Sequence, residues 1–369
     1  MKKSPPVTVL IPAFNCVEYL EETVQSVLSQ TYSGAKTIHI LDDGSTDGTS
    51  ELIQRLVNSH PTISSTCQDN AGRGETRDRL LRTCPTEVSA WIDSDDVATP
   101  NWLRDQIQCL CSNSTIAAVS GQAYAMTREW RPIAPLPSHP LTHHDIAERH
   151  LSGHANAFYQ SCTVIRRDAA IAAGGYRREC FASEDYDLWL RLAEYGRLQN
   201  VDEVHLFYRV HDTSANASLS SHQRSQGFEL VNEARRRCGR MPLSTPPFET
   251  PSPKKDDWNR RVFWINRAMR AGNHWTACVM SLKALRRHPL SFLLLATAII
   301  NSLDAILCGN AMDASADVTP KRDATTSISG TESVGPATRA ARFFLRLYRR
   351  YKLPGSTAPR SNSAPPADP

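Results

Sequence analysis

The sequence predicts an α/β fold built on a Rossmann-like, mostly parallel sheet flanked by helices. Short β-branched runs alternate with amphipathic helical stretches from residue 7 onward, and their succession reads βαβαβαβ. Carboxylate clusters fall at the ends of the strand-like runs, where an open sheet of this kind places its ligand crevice.

The elements follow in order. VTVLI at 7–11 reads as a buried strand, and residues 17–30 as a helix with Leu20, Val24, Val27 and Leu28 on one face. TIHIL at 37–41 is the second strand, followed by a helix over 49–57 in which Leu52, Ile53 and Leu56 recur at helical spacing. A weaker strand at 63–67 leads to a helix at 75–82, and VSAWI at 88–92 makes the fourth strand. Thr99 and Pro100 read as a helix cap with Pro at the first helical position. The second half is less regular: a strand at 116–120, a Pro- and His-rich loop at 130–144 and a helix at 142–150. A strand at 163–166, a turn at Gly174 and Gly175, a helix at 186–195 and a strand at 204–210 complete it.

The expected division is a catalytic domain at 1–240, a Pro-rich linker at 241–256, a helical region at 257–308 and a mostly disordered tail at 309–369. Residues 258–288 read as a helical pair. The apolar run 290–308 contains Asn301 and Asp304 and is at the lower limit for spanning a bilayer; a membrane contact and a packed helix fit it equally. Near 338–353 a basic amphipathic helix is expected, with Phe343, Phe344, Leu347 and Tyr351 opposed to arginines; a peripheral membrane contact is one use for it, folding back on the protein the other.

Composition excludes other classes. A chain of 369 residues, 40% hydrophobic, buries a full core, and its net charge of +4 forms no basic stripe with interleaved aromatics, so no nucleic acid is expected as a partner. The ten cysteines are scattered at spacings that fit neither a zinc knuckle nor a redox pair, and reduced thiols are expected. The first apolar run stops at Pro12, short of a signal-peptide core, so the expected location is cytoplasmic, with peripheral contact on the inner face of the membrane as an addition.

Chemistry is concentrated in three clusters. In LDDGSTDG at 41–48, Asp42 and Asp43 end a strand, where a carboxylate accepts hydrogen bonds from a base N–H or ribose hydroxyls; an ordinary Asp/Gly turn explains the same letters. In WIDSDD at 91–96, Asp93 and Asp95 lie two residues apart on one side of an extended end and Asp96 adds another oxygen donor. So much negative charge suits Mg²⁺ or Mn²⁺ shared with a diphosphate, while a solvated acidic cap is the plainer reading. Ser183, Glu184 and Asp185 precede a helix, where they are caps or, in a crevice, a base placed to take a proton from an attacking hydroxyl. Arg209 and His211 downstream are expected to reach either the diphosphate or the metal shell, and a purely structural histidine fits His211 equally. The first strand is followed by no GxGxxG, which disfavours hydride transfer; Pro12, Phe14 and Asn15 offer instead a shallow wall for a flat base.

Taken together, VTVLIPAFN, SVLSQTY, LDDGSTDGT, NAGRGETR, WIDSDD, GGY, SEDYDLWLRL and YRVHDTS resemble, in order over residues 7–215, the family 2 glycosyltransferases of the A-type fold, which are inverting nucleotide-sugar enzymes. The resemblance implies that Pro12, Phe14 and Asp43 contact the nucleotide base and Arg77 its phosphates. It makes Asp93 and Asp95 the DxD pair, with Asp95 the principal ligand of Mn²⁺ or Mg²⁺ and Asp96 its neighbour, Asp93 and Asp96 also contacting the nucleotide-sugar, and Asp93 and His211 completing the metal site. Asp185 is then the general base. Where the family has Ala-Arg-Asn, the chain has Thr76-Arg77-Asp78, which alters that contact. No QxxRW motif follows the base segment, so transfer of a single sugar to a glycan or lipid-linked acceptor is expected rather than processive synthesis. A sugar nucleotidyltransferase would want a Gly-rich basic loop after the first strand, and a silent nucleotide-sugar binding or scaffold protein would dispense with Asp185; these are the alternatives.

Overall fold

A computed structural model describes residues 4–153, 156–180, 183–211, 221–246 and 257–287. In chain order the elements are β1 (Val7–Ala13), α1 (Leu20–Leu28), β2 (Lys36–Asp42), α2 (Thr49–Ser59), β3 (Ile63–Cys67), α3 (Arg73–Thr83), β4 (Val88–Trp91), β5 (Val97–Ala98), α4 (Trp102–Ser112) and β6 (Ile116–Thr127). There follow β7 (Pro132–Pro135), α5 (His143–Leu151), β8 (Thr163–Arg166), α6 (Arg167–Ala172), α7 (Glu184–Leu192), β9 (Arg197–Val210), α8 (Ser221–Arg237), α9 (Asp257–Arg270) and α10 (His274–Arg287).

The strands form one nine-stranded sheet in the order β3-β2-β1-β4-β8-β6-β9-β5, with β7 paired to β6 off this path. β1 sits between β2 and β4, both parallel to it, so the chain winds outward to β3 and then crosses back. That reversal beside β1 is the switch point where an open α/β sheet leaves a crevice at its carboxyl ends. β8 lies antiparallel to both β4 and β6, and β9 runs parallel to β6; β3, β2, β1, β4, β6 and β9 therefore share one direction around a reversed β8. The sheet is thus mixed in its ladders.

Side chains of β1 alternate between two cores. Val9 and Ile11 pack with Leu20, Val24, Ile38, Ile40 and Trp102 on one face, and Leu10 with Leu41, Leu80, Trp91 and Trp189 on the other. Burial on both faces is why β1 reads as an unbroken apolar run rather than an alternating one. α9 and α10 cover β7, with Ala268, Ala277 and Ala284 against Ala125, Ile133 and Ala134; Asn273 ties the hairpin down by donating to the Tyr124 hydroxyl at 2.9 Å and the Ile133 carbonyl at 2.8 Å.

Several expected boundaries move for identifiable reasons. α1 begins at Leu20 instead of 17 because the Val17 N–H is held by Asp47 at 3.2 Å. Thr99 does not cap α4: its N–H donates to the His205 carbonyl at 2.9 Å, beside the β5–β9 pairing, and the helix opens at Trp102 after Asn101. The loop expected at 130–144 contains β7, and the strand expected at 204–210 is the second half of the longer β9. The apolar run at 290–308, the tail and the basic stretch at 338–353 lie outside the described residues. Among the described residues no helix is long and apolar enough to cross a membrane, and the described cysteines form no disulfide.

Candidate functional site

A cleft of about 460 Å³ opens at the switch point, lined among others by Pro12, Phe14, Asp43, Arg73, Arg77, Asp93, Asp95 and His211. Its apolar wall comes from the turn after β1. Asn15 there has φ 48°, a left-handed conformation that Asn tolerates, and its side chain accepts from the Thr46 N–H at 2.8 Å while its own N–H donates to Ser45 at 2.9 Å. These bonds pin the turn and leave Phe14 47% exposed on the cleft. A half-bare aromatic beside a carboxylate is a surface that suits a planar, hydrogen-bonding base.

Asp42 and Asp43 divide their labour. Asp42 is buried and accepts from the Ser45 N–H and the Ser50 hydroxyl, a turn-forming role. Asp43 lines the cleft and accepts from Gln68 at 2.7 Å, the Ala71 N–H at 2.8 Å and the Gly72 N–H at 3.0 Å. Oδ1 takes two of these bonds and Oδ2 one, which leaves acceptor capacity on Oδ2. Gly44 allows the two loops to meet: its φ is +77°, and a Cβ there would stand 2.9 Å from the Asn70 nitrogen. Gly44→Ala is therefore expected to lower stability by roughly 2 kcal/mol, from left-handed strain plus a backbone clash. A urea midpoint equal to that of the parent protein would contradict this.

The DSDD turn is shaped by β9. β5 pairs antiparallel with β9, Val97 opposite Phe207, and this lays the residues just before β5 beside those at the end of β9. As a result His211 Nε2 faces Asp95 Oδ2 at 2.8 Å. Asp96 is not in the cleft: it is 1% exposed and accepts from the Arg209 N–H at 3.0 Å, and burial with Asp95 and Asp93 nearby pushes its carboxyl well above the usual range. The expectation that Asp96 touches the nucleotide-sugar is corrected on that ground; it fastens β9 to the turn. Arg209 is likewise committed elsewhere. Fully buried, it donates to Glu22 at 2.6 Å and to the Asp95 and Arg128 carbonyls at 2.8 Å, with its guanidinium over the Tyr19 ring.

Arg77 lies at the floor, 4% exposed, donating to Asp93 Oδ1 at 2.7 Å and to Glu184 Oε1 at 2.5 Å. It joins the β4 end to the α7 N-terminus, and its bond to Glu184 spans 107 positions of sequence. Asp185, next to Glu184, is partly exposed and does not line the cleft; Oδ1 accepts from the Tyr186 N–H at 2.8 Å, and Asn156 approaches Oδ2 at 3.5 Å. Desolvation and the neighbouring Glu184 push the Asp185 carboxyl up to about 6, against the opposing pull of Arg77, the Tyr186 N–H and Arg73. Asp43, Asp93 and Asp95 thus share one cleft, and Asp185 is coupled to it through Glu184 and Arg77.

Among the described residues no three His, Cys, Asp or Glu side chains converge as a metal site. Asp93 has its Oδ1 held by Arg77 instead of joining Asp95 and His211 in one group. What the protein offers a divalent ion is the Asp95–His211 pair, with the remaining positions open, which fits Mg²⁺ or Mn²⁺ sharing its shell with water and a diphosphate. The two departures at Thr76 and Asp78 are accounted for locally. Thr76 donates to the Gly72 carbonyl at 2.9 Å, and Asp78 accepts from the Tyr176 N–H at 3.0 Å, fixing the GGY turn against α3. Glu184, given no role of its own by the sequence, is the buried partner of Arg77, and Arg73 lines the cleft without having been singled out. Its position four residues before Arg77, on the same face of a helix, is the signal that would have found it.

Comparison with known proteins agrees with this fold. Chondroitin synthase of Escherichia coli is 25% identical over 240 residues, 65% of this chain and 34% of that protein, and hyaluronan synthase of Pasteurella multocida is 24% identical over 239 residues, 65% and 24%. The chain therefore spans about a third or less of the length of these relatives. UDP-Glc:alpha-D-GlcNAc-diphosphoundecaprenol beta-1,3-glucosyltransferase WfaP of Escherichia coli is 27% identical over 218 residues, covering 58% of this chain and 80% of that one. The crystal structure of S. aureus TarS 1-349 in complex with UDP-GlcNAc superposes with a TM-score of 0.51 at 13% identity, covering 80% of this chain and 88% of that chain, a likeness of fold. Residues 8–173 match the family model described as glycosyl transferase family 2. With an A-type architecture and this match, residues 8–173 carry a domain of glycosyl transferase family 2.

Proposed function

We propose that the protein transfers a single sugar, with inversion, from a nucleoside-diphosphate-sugar to a hydroxyl of a glycan or lipid-linked acceptor. The observation that carries this reading is the Arg77 bridge, which couples a nucleotide-sized cleft at the switch point to Glu184, the neighbour of Asp185, whose carboxyl is pushed up to about 6. In this scheme Pro12 and Phe14 flank the base and Asp43 Oδ2 accepts a base N–H. Asp95 and His211 would hold a divalent ion, Mn²⁺ or Mg²⁺. Such an ion, when bound, offsets charge developing on the leaving diphosphate. Asp93, oriented by Arg77, accepts from hydroxyls of the ribose or sugar. Asp185 removes the acceptor proton on the face opposite the leaving group, and a single displacement from that face inverts the anomeric centre.

The acceptor class is taken by analogy with relatives such as WfaP, whose name specifies a diphosphoundecaprenol-linked sugar. A peripheral membrane contact near 338–353 belongs to the same proposal, because a lipid-linked acceptor resides in a bilayer. A donor screen with Mn²⁺ or Mg²⁺, reading nucleoside diphosphate release, tests the function. The expected result is metal-dependent release from one donor, reduced roughly 100-fold in Asp95→Ala because a displaced ion no longer offsets the leaving charge. Release by the variant at the parent rate would remove Asp95 from the metal site.

A further inference from the structure

Two guanidinium groups, Arg73 and Arg77, and one imidazole, His211, line the cleft, and they are not equally available. His211 faces Asp95. Arg77 has both terminal nitrogens committed, one to Asp93 and one to Glu184, and is 4% exposed; only its Nε lacks a partner. Arg73 differs from both. Its nearest acid, Glu184, stands 3.7 Å from its Nε and is already occupied by Arg77 at 2.5 Å, and its side chain is 39% exposed. Among the described residues the planar end of the guanidinium, the part suited to two-point binding of a phosphate, is uncommitted.

Placement adds to this. Arg73 is the first residue of the eleven-residue α3, whose N-terminal end carries partial positive charge, and it is one turn before Arg77 on the same face. The preceding Gly72 N–H is held by Asp43, which anchors that helix end at the cleft wall. The cleft otherwise presents Asp43, Asp93 and Asp95, so an entering diphosphate meets repulsion on every side except at a cation.

We propose that Arg73, and not Arg77, is the side chain that grips the donor diphosphate, with Arg77 acting beneath it as the brace of Asp93 and Glu184. This rests on the nucleotide-sugar reading above. It assigns the phosphate contact to a position four residues before the one that the family resemblance implies.

The test is calorimetric binding of UDP, GDP, dTDP, ADP and CDP to the full chain in Mg²⁺, followed by the tightest of them and its parent nucleoside against Arg73→Gln and Arg73→Lys. The expected result is a roughly tenfold or greater loss of diphosphate affinity in Arg73→Gln, partial recovery in Arg73→Lys, and nucleoside affinity unchanged in both. The partly exposed position predicts unaltered melting temperatures. Equal diphosphate affinity in Arg73→Gln and the parent overturns the assignment, as does an equal loss for nucleoside and diphosphate, which would mark general damage to the pocket. A defect confined to acceptor KM also overturns it, moving Arg73 to the acceptor. Absence of binding of any nucleoside diphosphate to the parent protein overturns the nucleotide-sugar reading itself, a result distinguishable from the others.

Discussion

Replacing Asp185 by Asn is expected to lower kcat by roughly 10³-fold while leaving donor binding and the melting temperature close to those of the parent protein, the usual scale of a lost general base. The substitution is nearly isosteric, and an amide oxygen still accepts from the Tyr186 N–H that holds Oδ1 at 2.8 Å. It also relieves the repulsion from Glu184, so no loss of fold should confuse the result. The parent enzyme carries a matching pH signature. With the carboxyl raised from 3.8 to about 6, the base form accumulates only as pH climbs past 6, and kcat should rise across that limb and then level. Stability should move the other way. Between those two values the folded state binds more protons than the unfolded chain, so this group's contribution is present below 3.8 and is lost as pH rises through about 6. A kcat in Asp185→Asn within a factor of three of the parent, with the acid limb intact, would remove Asp185 from the proton transfer.

The sequence exposes what depends on local spacing. β1, β2 and β4 are legible because each is a short apolar run, and Asp43, Asp93 and Asp95 because strand ends at a switch point must face a crevice. Asp185 is visible as a carboxylate at a helix start. What the letters hide is which of several adjacent acids is turned inward. Asp96 follows Asp95 directly, yet pairing of β5 with β9 draws it beneath the turn to meet Arg209, while Asp95 faces outward to His211. Arg209 and His211 look interchangeable as donors in YRVHD, and alternation alone puts both on one side; but Arg209 is still inside β9, buried between Glu22 and Tyr19, whereas His211 follows the end of the strand. The Arg77–Glu184 contact joins residues 107 apart, and no local pattern encodes such a pair.

That contact sets the other large expected effect. Arg77→Met removes the one guanidinium shared by Asp93 and Glu184 and should destabilise the protein by about 3–5 kcal/mol, the cost of leaving a buried charge without its partner. The two acids do not contribute equally. Asp93 is 34% exposed and can recruit water, whereas Glu184 is 2% exposed and has one oxygen, Oε2, already lacking a partner among the described residues. The cost therefore resides mainly in Glu184, and adding Glu184→Met to Arg77→Met should restore most of the lost stability, since two apolar side chains of similar volume no longer require solvation. Activity should not return with it, because Asp93 would have lost the donor that orients it and Asp185 the cation that opposes its rise in pKa. Urea midpoints of the parent, both single variants and the double variant, read beside their kcat values, separate the two effects. A double variant no more stable than Arg77→Met alone would show that the side chain's packing, rather than its charge, is what the fold requires; recovery of activity together with stability would show that the bridge serves the fold and not the transfer.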